Sequence, residues 1–222
     1  MTIAENVQHV QQTIAAARAE AGRTDTVTLV AVTKYHTIAE AQAVAATGLV
    51  DLAENRPDGL AEKQAALIAP ELKWHFIGNL QKRKVKQVIN KIAYLHSLDR
   101  LSLAEEIEKR AERPIDCFIE VNVSGEASKS GITLAEVEPF IKSLADFKKI
   151  RVIGLMTMAP IDADEATLHV LFKKLRLKRD AVAQLNLAYA PCHELSMGMS
   201  RDYRIAVLEG ATFVRVGTAL FQ

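Results

Sequence analysis

Cysteine is scarce: Cys117 and Cys192 are the only two, and they are far apart and fit no paired metal-ligand spacing. A disulfide framework needs a denser pattern in a smaller secreted chain, so both read as reduced thiols in or near the core. Charge of one sign is also missing, since 28 basic and 27 acidic residues leave a net charge of +1. That balance argues against wholesale binding to nucleic acid or to a membrane surface and favours a small-molecule partner. The local basic cluster of Lys82, Arg83, Lys84 and Lys86 has no aromatic residues interleaved, and a helix with one basic face is ordinarily just solvated. No segment reaches the roughly 18 uncharged apolar residues that suggest a membrane span. The first residues are broken by Glu5, Gln8, Arg18 and Glu20, unlike a signal peptide. The expected compartment is the cytoplasm.

What is present is an alternation. Eight short apolar runs rich in Val, Ile and Leu fall at 27–33, 49–55, 73–77, 93–98, 116–123, 150–158, 193–199 and 213–216. Several are apolar on consecutive positions, as in Thr28-Leu29-Val30-Ala31-Val32, which suits strands covered on both faces of a parallel sheet. Between them, segments of helical period lie at 38–46, 58–68, 80–90, 101–112, 134–147, 165–187 and 201–209. Thr37 with Glu40 forms a capping box before the first of these, Gly48 closes it, Thr133 starts another before Leu134, and Gly210 follows the last. The expected fold class is α/β, a TIM-type (β/α)8 barrel forming a single domain over residues 1–222. A helix over about 3–21 precedes the first strand and covers the gap left where no helix follows the eighth. A doubly wound open sheet is the competitor, but Lys34-Tyr35-His36-Thr37 has no glycine where a dinucleotide loop needs it.

In such a barrel the strand C-termini share one open face, where sites are built. Ser196-Met197-Gly198-Met199-Ser200 carries strand seven into a helix with Ser200 at the expected N-cap, an anion-binding arrangement. Gly217-Thr218 follows strand eight and brings further backbone N–H groups to the region where barrels often hold phosphate. Taken singly, Ser200 only caps and Gly217 only turns; together they favour phosphate. Lys34 ends strand one, where a lysine is either a rim residue with its ammonium in water or an amine activated to attack an aldehyde. Arg215 points into the barrel at strand eight, and an interior salt bridge with Glu54 or Glu194 is its plainer role.

These blocks resemble the pyridoxal-phosphate homeostasis proteins, whose fold is like the N-terminal barrel of alanine racemase. The resemblance rests on Leu29-Val30-Ala31-Val32-Thr33-Lys34, Glu54-Asn55-Arg56, Trp74-His75-Phe76-Ile77-Gly78, His96-Ser97-Leu98-Asp99, Gly154-Leu155-Met156-Thr157-Met158, Leu195 to Ser200 with Asp202, and Val214 to Thr218. It implies a pyridoxal 5′-phosphate cofactor held as a reversible Schiff base on Lys34. It further implies that Ser200, Gly217 and Thr218 hold the phosphate, that Arg215 faces the pyridine nitrogen, and that Asn55, Met156 and Ser196 line the cofactor. Where the family commonly has a second lysine, this chain has His36, and Pro57-Asp58-Gly59 replaces a usual Val-Gln-Glu. Lys129 matches and reads either as an accessory site or as a solvated loop residue.

The expected role is a carrier without catalytic residues that buffers the cofactor or delivers it to apo-enzymes by transient contact, with no nucleic acid, membrane or metal partner. The alternative is a racemase-like enzyme acting on amino acids, with Tyr35 or His75 as the second acid/base group.

Overall fold

The structure, a computed structural model, describes residues 1–127 and 129–222. Eight parallel strands close in chain order into one barrel: β1 (Thr28–Val32), β2 (Asp51–Glu54), β3 (Lys73–Phe76), β4 (Tyr94–Leu98), β5 (Ile115–Glu120), β6 (Ile150–Met156), β7 (Glu194–Ser196) and β8 (Phe213–Val216). Closure is made by β8 against β1, in register from Thr28 opposite Phe213 to Ala31 opposite Val216. The expected barrel is what the chain forms.

Consecutive apolar residues are needed because each strand serves two cores. Leu29 and Ala31 face the helices while Val30 and Val32 face the barrel axis, and the same parity sends Val214 and Val216 outward and Phe213 inward. Phe118 lies inside between Cys117 and Ile119, which lie outside. Parity therefore dictates that His75, Ser196 and Arg215 enter the interior, since their strand neighbours Trp74, Phe76, Leu195 and Val214 are committed to the outer layer. In β6 both Ile153 and Met156 reach the inner cluster because the register shifts by one residue between Val152 and Gly154, a bulge that resets the alternation.

The helices that cover the barrel are α1 (Ile3–Glu20), α2 (Ile38–Ala45), α3 (Pro57–Ala66), α4 (Val85–Val88), α5 (Leu101–Arg110), α6 (Val137–Ser143), α7 (Glu165–Ala183), α8 (Tyr203–Leu208) and α9 (Thr218–Phe221). The gap after β8 is not bare, because α9 makes one turn there. α1 packs across α8 and α9, and its buried Asn6 donates to the carbonyls of Leu220 (3.2 Å) and Gln222 (2.6 Å). A polar residue on the buried face of α1 thus satisfies the C-terminal carbonyls that a short last helix leaves open. The capping box at Thr37 and Glu40 is present.

Two helix assignments need correction. The 80–90 segment is broken into 3₁₀ turns at Lys82–Lys84 and Ile89–Lys91 around α4. Val85, Val88 and Ile89 are nonetheless fully buried, and tight turns present that spacing as well as a continuous helix would. Thr133 does not cap a helix at Leu134. Its N–H and hydroxyl both donate to the Glu136 carboxylate, which holds a turn, and α6 begins only at Val137. Among the described residues, no helix is long and apolar enough to cross a membrane. Cys117 and Cys192 are free and buried, and burial pushes both thiols up, Cys192 to about 12.

Candidate functional site

β1 ends in a tight turn in which the His36 N–H donates to Thr33 O at 3.0 Å. Lys34 and Tyr35 are its central residues, and Tyr35 takes a left-handed φ of 69° and is 78% exposed. A bulky residue at positive φ is strained, so the turn must be held from outside. It is held by a buried cluster in which Lys63 of α3 donates to Thr33 O (2.8 Å) and to the Glu54 carboxylate (2.5 Å), while the Thr33 hydroxyl donates to the same carboxylate oxygen (2.7 Å). The result fixes the residue before Lys34. The Lys34 ammonium lies 5.6 Å from the centroid of the Tyr35 ring, within reach of a cation–π contact.

Across the barrel mouth, Ser200 is not an N-cap. α8 starts two residues later, after Asp202, because the Asp202 carboxylate accepts from the Met199 N–H at 2.5 Å and braces the loop. The Ser200 hydroxyl instead accepts from the N–H groups of Gly217 and Ala219, both at 3.2 Å. Two backbone N–H groups therefore converge on one oxygen, the arrangement a phosphate oxygen needs. Gly198 makes the approach possible: its φ is 95°, and a Cβ there would lie 2.6 Å from Ala206 Cβ and 2.9 Å from Tyr203 Cα. Ser200→Ala is expected to leave the two N–H groups without their shared acceptor and to cost about 1–2 kcal/mol of unfolding free energy, read by urea denaturation.

Arg215 is buried, and it makes no salt bridge with Glu54 or Glu194. Glu54 is taken by Lys63 and Thr33, and Arg215 donates instead to the Ser196 hydroxyl (2.6 Å) and to Thr157 O (2.9 Å). Burial lowers its pKa to about 10, opposed by the nearby carboxylates of Asp202 and Glu120. The guanidinium stays charged at neutral pH. Burial raises the Asp202 carboxyl, with the Met199 N–H and Arg215 pulling the other way.

These parts share one cleft of about 770 Å³. Of the eight expected site residues, six line it: Lys34, Met156, Ser200, Arg215, Gly217 and Thr218. Ser196 lies beneath, fully buried, and reaches the cleft only through Arg215. Asn55 is not among the lining residues; it follows β2, and its backbone is crossed so closely by Gly78 that a Cβ there would lie 2.1 Å from Asn55 O. The cleft has a further wall, of which Pro160, Ile161, Asp162 and Arg201 were not foreseen. The loop between β6 and α7 contributes Met158, Pro160, Ile161 and Asp162, and Arg201 and Asp202 enter from the loop after β7. Met158 and Ile161 are apolar yet 39% and 82% exposed, so they serve no core.

A family model described as alanine racemase, N-terminal domain, matches residues 3–222. The chain belongs to this family. Within it, the pyridoxal phosphate homeostasis protein of Pseudomonas aeruginosa is 38% identical over 224 residues, covering 99% of this chain and 95% of the relative. That of Aquifex aeolicus is 41% identical over 177 residues, 78% and 77% of the two chains. The structure of PipY from Synechococcus elongatus, solved with PLP bound, matches with a TM-score of 0.87 at 31% identity and covers 100% of both chains. Alanine racemase from Corynebacterium glutamicum shares the fold, with a TM-score of 0.74 at 16% identity over 98% of this chain and 60% of its own. The resemblance to the homeostasis branch of the alanine racemase N-terminal domain family, read from the sequence blocks, is borne out.

Proposed function

We propose that residues 1–222 form a single cofactor-binding domain that holds pyridoxal 5′-phosphate and buffers it or passes it to apo-enzymes by transient contact. One observation carries this reading: a half-buried lysine, a buried arginine, and Ser200 with Gly217, whose hydroxyl and backbone N–H meet at 3.2 Å, line the same cleft. The residues fit the group. When bound, pyridoxal 5′-phosphate supplies an aldehyde carbon that an unprotonated amine captures reversibly with loss of water, and a phosphate dianion. Lys34 is the proposed attachment point, presented by a turn that Lys63 and Glu54 keep in place. Ser200, Gly217 and Thr218 are the proposed phosphate cradle, Met156 would line the cofactor, and Ser196 would act through Arg215. Asn55 lies at the end of β2, at the margin of the site.

Arg215 favours carriage over turnover. A donor-only, permanently charged group at the pyridine nitrogen keeps that nitrogen unprotonated, which makes the ring a poor electron sink. The racemase-like alternative also needs a second acid/base group on the cleft. His75 is fully buried in interior hydrogen bonds, and Tyr35 stands at the rim, mostly in solvent. The relatives named homeostasis proteins support the same reading.

The test is borohydride reduction of the protein incubated with pyridoxal 5′-phosphate, followed by peptide mapping. The label is expected on Lys34 and on no residue of Lys34→Ala at the same stoichiometry. A label on another lysine with Lys34 unmodified refutes the assignment, and amino-acid turnover at ordinary enzymatic rates refutes the carrier role.

A further inference from the structure

A line of hydrogen bonds crosses the barrel interior and ends on Arg215. The Asp51 carboxylate, at the start of β2, lies 2.9 Å from His75 Nε2. His75 Nδ1 lies 2.9 Å from His96 Nε2, and His96 Nδ1 lies 2.8 Å from the Ser196 hydroxyl. Ser196 in turn accepts from Arg215 at 2.6 Å. His75, His96 and Ser196 are fully buried. Asp51 lines a separate, smaller cleft of about 350 Å³ between α1 and the starts of the strands, at the opposite end of the barrel from the cofactor cleft.

The two ends dictate the direction of every proton between them. Arginine only donates and an ionised carboxylate only accepts. Asp51 requires a proton on His75 Nε2, so in a neutral ring His75 Nδ1 accepts. His96 Nε2 must then carry its proton, and His96 Nδ1 must accept from the Ser196 hydroxyl. That hydroxyl has its lone pairs left for Arg215. The reverse direction would set an unprotonated His75 nitrogen against a carboxylate and leave the Ser196 proton without an acceptor among the described residues. Neutral rings agree with their surroundings: burial lowers both imidazoles, and the neighbouring His75 and Arg215 lower His96 further.

We propose that Asp51, His75, His96 and Ser196 form a one-way relay through which Asp51, remote from the cleft, sets the orientation and donor strength of Arg215. Each hydroxyl or imidazole that donates toward Asp51 becomes a better acceptor on its other side. Ser196 therefore grips the guanidinium more firmly than an isolated serine would. All four are positioning residues; none of them lines the cofactor cleft.

Asp51→Asn is the discriminating variant, because an amide of nearly the same shape both donates and accepts and so no longer fixes the direction. Nitrogen-15 NMR of histidine-labelled, ligand-free protein is expected to show His75 and His96 both protonated at Nε2 in the wild type, and a mixture of tautomers in Asp51→Asn. A proton on Nδ1 of either ring in the wild type, or unchanged tautomers in the variant, overturns the relay. The effect on Arg215 rests on the cofactor reading and is measured separately with added pyridoxal 5′-phosphate. Asp51→Asn is expected to shift the absorption maximum of the bound cofactor and to weaken its retention by about tenfold, the scale of one compromised hydrogen bond to a charged group. Thermal unfolding of both proteins separates this from a loss of fold. An unchanged spectrum and affinity, with altered tautomers, overturns the control of Arg215. Failure of the wild type to take up the cofactor at all sinks the cofactor reading, while the NMR result still decides the relay.

Discussion

Lys63→Met is expected to lower the unfolding free energy by about 3–5 kcal/mol, the cost of leaving a buried carboxylate without its partner. Glu54 is almost fully buried, and among the described residues the Lys63 ammonium, at 2.5 Å, is its one ion-pair partner. Removing both charges in Glu54→Met with Lys63→Met is expected to recover much of that loss, because an apolar pair of similar volume carries no desolvation penalty. Urea denaturation of the two variants and the wild type measures both effects. The double variant separates stability from function: Thr33 O loses Lys63 and keeps only the His36 N–H, and the Thr33 hydroxyl loses the Glu54 carboxylate and keeps only Ala53 O at 3.3 Å, so the turn that presents Lys34 loosens even where the fold is restored. Slower or weaker capture of pyridoxal 5′-phosphate in a well-folded double variant is the expected result. Wild-type capture there would show that the cluster serves folding alone.

The barrel was legible because strand parity and the two-sided burial of each run are local properties of sequence. Runs such as Leu29 to Val32 state both cores at once. The site was legible where one short segment carries its own geometry. Lys34 closely follows one strand, and Gly217 and Thr218 follow another; each falls in the cleft. Contacts made across the barrel were not legible. Ser200 looked like a cap because it precedes a helical run, yet its partners are the N–H groups of residues 217 and 219, and Asp202 takes its place at the helix start. Arg215 was rightly placed inside, but a choice among Glu54, Glu194 and an uncharged pair depends on which side chains meet on the axis. His75 and His96 are 21 residues apart, and His96 and Ser196 are 100 apart. No periodicity encodes that meeting. It follows only from closing the barrel in a given register.

Glu120 gives the ligand-free protein an expected pH dependence near neutrality. It ends β5 on the same face as Phe118, and it is 4% exposed. Burial, with the Asp99 carboxylate adding to it, pushes its pKa up to about 7 against the pull of Arg215 and Arg100. In the unfolded chain the same carboxyl ionises near 4.5. Below that value it is protonated in both states, and the native state keeps its full stability. As pH rises toward 7 the unfolded chain gives up the proton first, so stability is lost, and above 7 the loss is complete. Glu120→Gln, neutral throughout, is expected to gain about 2–3 kcal/mol relative to the wild type between pH 5 and pH 8. Unfolding free energies of both proteins at the two pH values test this, and a difference independent of pH would refute it. The consequence reaches the cleft, because ionising Glu120 places a second negative charge beside Asp202 in the surroundings of Arg215. Above pH 7 the guanidinium is therefore better compensated, and it draws less on a ligand for its partner.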